Sequence, residues 1–148
     1  MGSIVLPAQG VPYVDTNGFI YTVELVAPYQ ALLEPLWQEL RAQGRYALTS
    51  ELTLMETLVK PLQAQDGALE TQYRTILVTS PEVRLYPISR AVLERAARLR
   101  TTAQLKTPDA LHAATALEAG CALFVTNDAA FRRVTGLTVV VPHELLVP

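Results

Sequence analysis

The sequence predicts an α/β protein, a three-layer α/β/α sandwich built on a mostly parallel sheet of about five strands. Two observations lead there. Five short β-branched runs, VPYVDT, YALTS, VRLYPI, ALFVT and LTVVVP, are spread along the chain, and their nearly continuous apolar character suits parallel strands covered on both faces. Longer helical patterns fill the gaps between them, and alternating strands and helices joined by right-handed crossovers give that layered arrangement.

The elements follow in order. The start MGSIVLPAQG precedes the first run and reads as a flexible N-terminal extension (residues 1–10) of a single domain spanning residues 1–148. After the first strand, Tyr29 to Arg41 reads as a helix with Leu32, Leu33, Leu36, Trp37 and Leu40 on one face, and Gly44 suits its end. After the second, Ser50 is a natural N-cap, and Leu54, Leu58 and Leu62 recur at helical spacing. A further helix is expected over Leu69 to Val78. From Ser89, the residues Val92, Leu93, Ala96 and Leu99 mark another, with Arg90, Arg95, Arg98 and Arg100 largely off that face. Thr107-Pro108-Asp109 opens the last, Thr as N-cap and Pro at the first helical position, where a missing N–H costs nothing.

Composition narrows the function classes. The chain has 148 residues, is 50% apolar and 18% charged, and carries a net charge of −2. A chain of this size buries roughly two-thirds of its unfolded surface, enough for a core without disulfides or a structural metal. Cys121 is the only cysteine, so no intramolecular disulfide forms, and a reducing, cytoplasmic setting is expected. With His112 and His143 the only imidazoles, soft ligands are too few for a tetrahedral zinc site. Any metal is therefore expected to be held by oxygen. No segment reaches the roughly 18 apolar residues that would cross a bilayer, and the start lacks a basic signal-peptide region. Gly2 does not make a myristoylation site, because the sixth position is Leu6 rather than Ser or Thr.

In parallel sheets, ligands bind at the carboxyl ends of the strands, near the point where strand order reverses. Four acids are expected at that edge. Asp15 closes the first strand and Asp128 follows the fourth. Asp109 sits at the start of a helix returning from the same edge, and Glu56 lies in the second turn of the helix opened by Ser50. Singly, each has a plain reading as a turn residue, a helix-dipole carboxylate or a solvated helix residue. Together, with no basic partner beside them, they would repel, and a hard divalent cation, Mg²⁺ or Mn²⁺, relieves that repulsion. Such an ion polarises a phosphoryl oxygen and lowers the pKa of a bound water, which points to phosphodiester hydrolysis without a protein nucleophile.

These residues carry a resemblance. The V-D-T-N stretch from Val14 to Asn17, T-S-x-x-T-x-x-E from Thr49 to Glu56, P-D-A-L-H-A-A-T-A from Pro108 to Ala116, and T-N-D-x-x-F from Thr126 to Phe131 resemble, in order and spacing, the PIN-domain nucleases, in particular the VapC-like toxins of toxin–antitoxin pairs. The resemblance runs from Tyr13 to about Val141. It implies a PIN-like, Rossmann-like fold and an endoribonuclease in which Asp15, Glu56, Asp109 and Asp128 bind one or two Mg²⁺ or Mn²⁺ ions. It also implies that Asn17, Thr126 and Asn127 support those ligands. An antitoxin protein and a homodimer are the expected protein partners, and RNA the expected substrate. Many members carry another acid where this chain has Ala130, which leaves the second metal site open.

Arg90, Arg95, Arg98, Arg100 and Lys106 read as a solvated face more readily than as a phosphate-contacting one, whereas Arg132 and Arg133 follow Asp128 closely and are the better phosphate contacts. His112 reads as a packed or hydrogen-bonded helix histidine rather than a general base. Tyr13, Tyr21 and Trp37 read first as core. The helices at Tyr29 to Arg41 and Leu69 to Val78 carry apolar residues that serve a core or an interface equally well. A haloacid-dehalogenase-type phosphatase wants an Asp where Asn17 stands, and a response-regulator receiver wants one where the chain reads Leu85-Tyr86-Pro87. The alternatives that stay open are a non-catalytic PIN-like module binding RNA or protein, and a housekeeping PIN ribonuclease without an antitoxin.

Overall fold

The computed structural model describes residues 2–146. Strands β1 (Pro12–Val14), β2 (Ala47–Ser50), β3 (Val83–Tyr86), β4 (Leu123–Val125) and β5 (Val139–Val140) form one sheet in the order β3-β2-β1-β4-β5, and every neighbouring pair is parallel. The helices are α1 (Thr16–Val23), α2 (Tyr29–Gln43), α3 (Glu51–Gln63), α4 (Gly67–Arg74), α5 (Arg90–Thr102) and α6 (Thr107–Glu118). The chain winds outward from β1 through β2 to β3, then returns to the other side of β1 for β4 and β5. Strand order therefore reverses between β1 and β4, the place where such sheets open a crevice at their carboxyl ends.

Alternation along the strands sends side chains into two cores. Tyr13 and its register partner Phe124 stack with ring centroids 4.9 Å apart, and with Leu48, Val92, Ala96 and Phe131 they form the core beneath α5 and α6. The small Ala110, Ala113, Ala114 and Ala116 are all buried there. Val14, Leu123 and Val125 point to the other face and meet Phe19, Leu33, Leu36, Trp37 and Leu40 from α1 and α2. Burial on both faces explains why the strands read as apolar runs rather than as alternating patterns.

Several local expectations change. Helix α1 was not foreseen; it starts directly at the end of β1. The expected Leu69 to Val78 helix divides into α4 and a π-helical turn, Thr75–Thr79, closed by the Ser80 N–H donating to the Thr75 carbonyl at 3.0 Å. Lys106, not Thr107, is the N-cap of α6, so Pro108 falls one residue deeper in a first turn that still leaves its missing N–H harmless. Gly44 does end α2, at a left-handed φ of 63° that suits glycine. All five apolar residues singled out on α2 are buried, so that helix serves the core.

The N-terminal extension is docked rather than flexible. Ile4 is buried in the core beneath α1 and α2, and the Gly2 N–H donates to the Leu145 carbonyl at 3.0 Å. The Arg45 guanidinium donates to the carbonyls of Pro7 and Gly10, both at 2.8 Å. Little in the sequence signals this docking, because a single buried isoleucine and a distant arginine make no local pattern.

Candidate functional site

Each acid is placed by an element that begins at the carboxyl edge of the sheet. Asp15 follows β1 directly and is the N-cap of α1, its Oδ1 accepting from the Gly18 N–H at 3.3 Å. Gly18 allows that tight entry, since a Cβ there would lie 2.3 Å from Val14 Cγ1. Glu56 lies on α3, whose start is fixed by Ser50 Oγ accepting from the Leu52 N–H at 3.0 Å. Asp109 occupies the first turn of α6. Asp128 follows β4 and caps the 3-10 turn Ala129–Arg133, accepting from the Ala130 N–H at 2.9 Å.

Asp15, Asn17, Glu56 and Asp109 line one cavity of about 240 Å³ together with Thr16, Ile20 and His112. Asp128 is exposed and outside that lining, yet close enough for its charge to act on Asp109. Thr126 is buried beside two of the acids: its hydroxyl favours the ionised form of the Asp15 carboxylate, and its oxygen accepts from the Asp128 N–H at 3.1 Å. Asn127 makes its hydrogen bonds elsewhere. Its amide donates to the Tyr21 hydroxyl at 3.3 Å and its oxygen accepts from the His143 N–H at 2.8 Å. A larger cavity of about 430 Å³, lined by Thr22, Thr71, Ile76 and Ser80 among others, is mostly apolar and far poorer in groups that could do chemistry.

The cavity's charges are held in two ways. Burial pushes the Asp15 carboxyl above its ordinary pKa, against hydrogen bonds from Thr126 and Gly18 that favour its ionised form, and the nearby Asp109 adds to the rise. Asp109 is also raised, first by burial, then by the negative charges of Asp128 and Glu56, with His112 and Lys106 opposing. Burial acts on Glu56 too, but hydrogen bonds from His112 and Thr16 outweigh it, and its pKa falls.

His112 holds Glu56 directly. Its Nε2 lies 2.8 Å from Glu56 Oε1 and 3.2 Å from Thr16 Oγ1, while its Nδ1 lies 2.5 Å from the Tyr13 hydroxyl. The Thr16 hydroxyl donates to the same Glu56 oxygen at 2.7 Å. Neither Thr16 nor the buried Tyr13 was singled out for this site in the sequence. The available signal was positional: Thr16 is next to Asp15, and His112 is one helical turn after Asp109 on the same helix.

The basic residues sort differently from expectation. Arg132 is taken up by a two-pronged pair with Glu144, at 2.7 and 2.6 Å. Arg95 pairs with Glu118 at 2.6 Å. Arg133 donates to the Ala130 carbonyl at 3.2 Å and makes no ion pair among the described residues.

A family model described as PIN domain matches residues 13–137. The chain belongs to the PIN-domain family. Solved structures with this fold include a toxin–antitoxin complex from Klebsiella pneumoniae, 26% identical, with a TM-score of 0.67, covering 88% of this chain and 97% of that one. VapBC2 from Rickettsia felis, bound to a DNA fragment from its promoter, is 19% identical with a TM-score of 0.67 and covers 88% and 98% of the two chains. Mycobacterium tuberculosis VapC20, a toxin that cleaves the sarcin–ricin loop, is 18% identical with a TM-score of 0.66 and covers 82% and 92%. No curated protein matches the chain.

In this PIN domain the donor set fits a hard divalent cation in kind: every free donor in the cavity is an oxygen, and two of its carboxyls are pushed up by burial and by one another. Among the described residues no three acids, histidines or cysteines meet closely enough to enclose an ion as they stand. His112 is not a spare ligand, because both ring nitrogens are engaged.

Proposed function

We propose that this PIN domain is a metal-dependent endoribonuclease, the toxin of a VapBC-type pair, hydrolysing RNA phosphodiester bonds in the cytoplasm. The observation that carries it is the gathering of Asp15, Glu56 and Asp109 in one cavity, with Asp128 acting on Asp109 from its rim. Those four carboxylates would hold Mg²⁺ or Mn²⁺. When bound, such an ion supplies Lewis-acid activation of the phosphate and of a water. Thr126 keeps Asp15 and Asp128 facing a shared edge, and Asn17 lines the cavity beside them. Lys106, whose charge already acts on Asp109, and Arg133, which follows Asp128 in the chain and makes no ion pair among the described residues, are the basic groups proposed to meet an RNA phosphate.

The toxin reading is supported by neighbours described as toxin–antitoxin and VapBC complexes. A protein contact, to an antitoxin or a second copy in a homodimer, is supported by Met55, Val59 and Leu62, which recur at helical spacing on α3 and are all exposed. No described helix is long and apolar enough to cross a membrane. Residues 1–148 are proposed to act as one domain, the docked N-terminal extension included.

Cleavage of a mixed RNA panel with Mg²⁺, Mn²⁺ or EDTA tests the proposal, with purified wild type beside Asp15→Asn. The proposal expects cutting that needs the ion and disappears in the variant. Unchanged cutting by a folded Asp15→Asn protein overturns it. Absence of cutting by either protein, together with binding of the same RNAs, favours the non-catalytic module.

A further inference from the structure

We propose that Tyr13 and His112 are positioning residues, a buried hydrogen-bonded chain that locks one oxygen of Glu56 and leaves the other for a cation; this rests on the metal-dependent reading above.

The direction of every bond in the chain follows from its ends. The Ser50 N–H can only donate, and it reaches the Tyr13 oxygen at 3.1 Å. That leaves the Tyr13 hydroxyl proton available to His112 Nδ1, 2.5 Å away. An ionised carboxylate can only accept, so at the other end the Nε2 of His112 carries its proton toward Glu56 Oε1 at 2.8 Å. The Thr16 hydroxyl gives its single proton to the same Oε1 at 2.7 Å, so it meets His112 Nε2 as an acceptor. The opposite tautomer, with the proton on Nδ1, would set two donors, that N–H and the Ser50 N–H, against the Tyr13 oxygen and leave Nε2 without a proton for the Glu56 carboxylate. The Nε2-protonated arrangement satisfies all the groups, and no buried side-chain polar atom lacks a partner among the described residues.

The consequence falls on Glu56. Its Oε1 takes two hydrogen bonds, while Oε2 takes none among the described residues. The chain joins β1, the end of β2, α6, α1 and α3, so the orientation of a half-exposed glutamate is set by the rigid centre of the fold. Partners that orient a ligand from behind typically change metal affinity 10- to 100-fold when removed.

Two readouts test this, one of them without metal. Long-range nitrogen-15 NMR of the His112 ring is expected to show a protonated Nε2 and an unprotonated, hydrogen-bonded Nδ1; a proton on Nδ1 overturns the proposal. Calorimetric Mn²⁺ binding to folded His112→Leu is expected to be about 10- to 100-fold weaker than to wild type, and His112→Gln, which can still present an N–H near the Nε2 position, is expected to recover most of it. Wild-type affinity in a folded His112→Leu protein overturns the proposal. Should that variant fail to fold, Tyr13→Phe decides: it is expected to let the ring proton move between the two nitrogens and to weaken Mn²⁺ binding, and an unchanged tautomer with unchanged affinity overturns the role given to Tyr13. A wild type that binds no Mn²⁺ would overturn the metal reading instead, leaving the tautomer to decide the chain itself.

Discussion

Glu56 and Asp15 line the same cavity, and burial pushes the pKa of both upward, yet they end in opposite states. Glu56 receives hydrogen bonds from His112 and Thr16 and is held ionised by the protein itself. Asp15 has Thr126 and the Gly18 N–H on its side, and these do not offset its burial and the charge of Asp109. Asp109 is in the same position, with Asp128 and Glu56 both pressing on it. One side of the cavity is organised by the fold, and the other carries a repulsion that a cation would remove. On the proposed reading, the cation would be held where the two sides meet, by the fixed Glu56 and by the acids whose charge the fold does not offset.

The largest effect should follow from removing charge on the strained side. Asp15→Asn is expected to lower metal-dependent RNA cleavage by at least about a hundredfold, because metal-borne charge stabilisation is worth several kcal/mol and each ~1.4 kcal/mol is tenfold in rate. Asn still serves as an N-cap, so circular dichroism should show the fold intact. A loss of no more than a few-fold would mean that the two sides of the cavity are not distinct in function.

Adding the ion should relieve the same repulsion. At about 100 times its dissociation constant, a ligand bound only by the folded state stabilises it by ~2.7 kcal/mol, roughly 5–10 °C in Tm for a chain of this length. Differential scanning calorimetry with Mn²⁺ should show that rise, and Ca²⁺-free, EDTA-treated protein should not.

Acid should separate the two sides by sign. Asp15 and Asp109 have folded-state pKa values above their unfolded ones, so the stability gained by protonating them is present below the unfolded value and is lost as pH rises through the folded one. Glu56 has a folded value below its unfolded one, so its contribution is present above the unfolded value and is lost as pH falls through the folded one. Metal-free protein should therefore become more stable as pH falls from neutral toward the ordinary carboxylate range. Asp15→Asn should weaken that gain, and Glu56→Gln should leave the Asp15 part of it in place while reducing the Asp109 part, since the Glu56 charge helps to raise Asp109. Thermal melts across pH check both.

Most of this was legible in the sequence, and the exceptions share a cause. Strand-end acids announce themselves because an apolar run that stops at Asp15 or just before Asp128 is a local pattern, and Glu56 and Asp109 sit at fixed distances from helix starts. The parallel sheet of five strands and the place of Asp15 at the end of the first are legible in the same runs, whereas the strand order is not. What stayed hidden depends on residues far apart in the chain: Tyr13 and His112 are 99 residues apart, and Thr16 and Glu56 are 40 apart. Tyr13 read as core because it is core; its hydroxyl matters only once α6 is laid over β1. Helix α1 was missed because its signal is the tight entry at Gly18 rather than a long periodic face. Arg132 read as a phosphate contact because its partner, Glu144, lies in the C-terminal 3-10 turn beyond the nearby motif.

The smallest effect is expected at the arginines. Arg133→Ala should weaken RNA binding and reduce its salt dependence by about one phosphate contact, whereas Arg132→Ala, whose charge is already matched by Glu144, should do less. Filter binding across a salt series compares them.

The most direct measurement is the thermal stability of wild type and Asp15→Asn, each with EDTA and then titrated with Mn²⁺ at neutral pH. The contrast within the cavity predicts a crossing. Without metal the variant melts higher, since a buried and repelled carboxylate is gone, and with metal the wild type overtakes it, because only the wild type keeps the full set of acids. A variant less stable than wild type without metal, or an equal Mn²⁺ response in both proteins, would contradict the account.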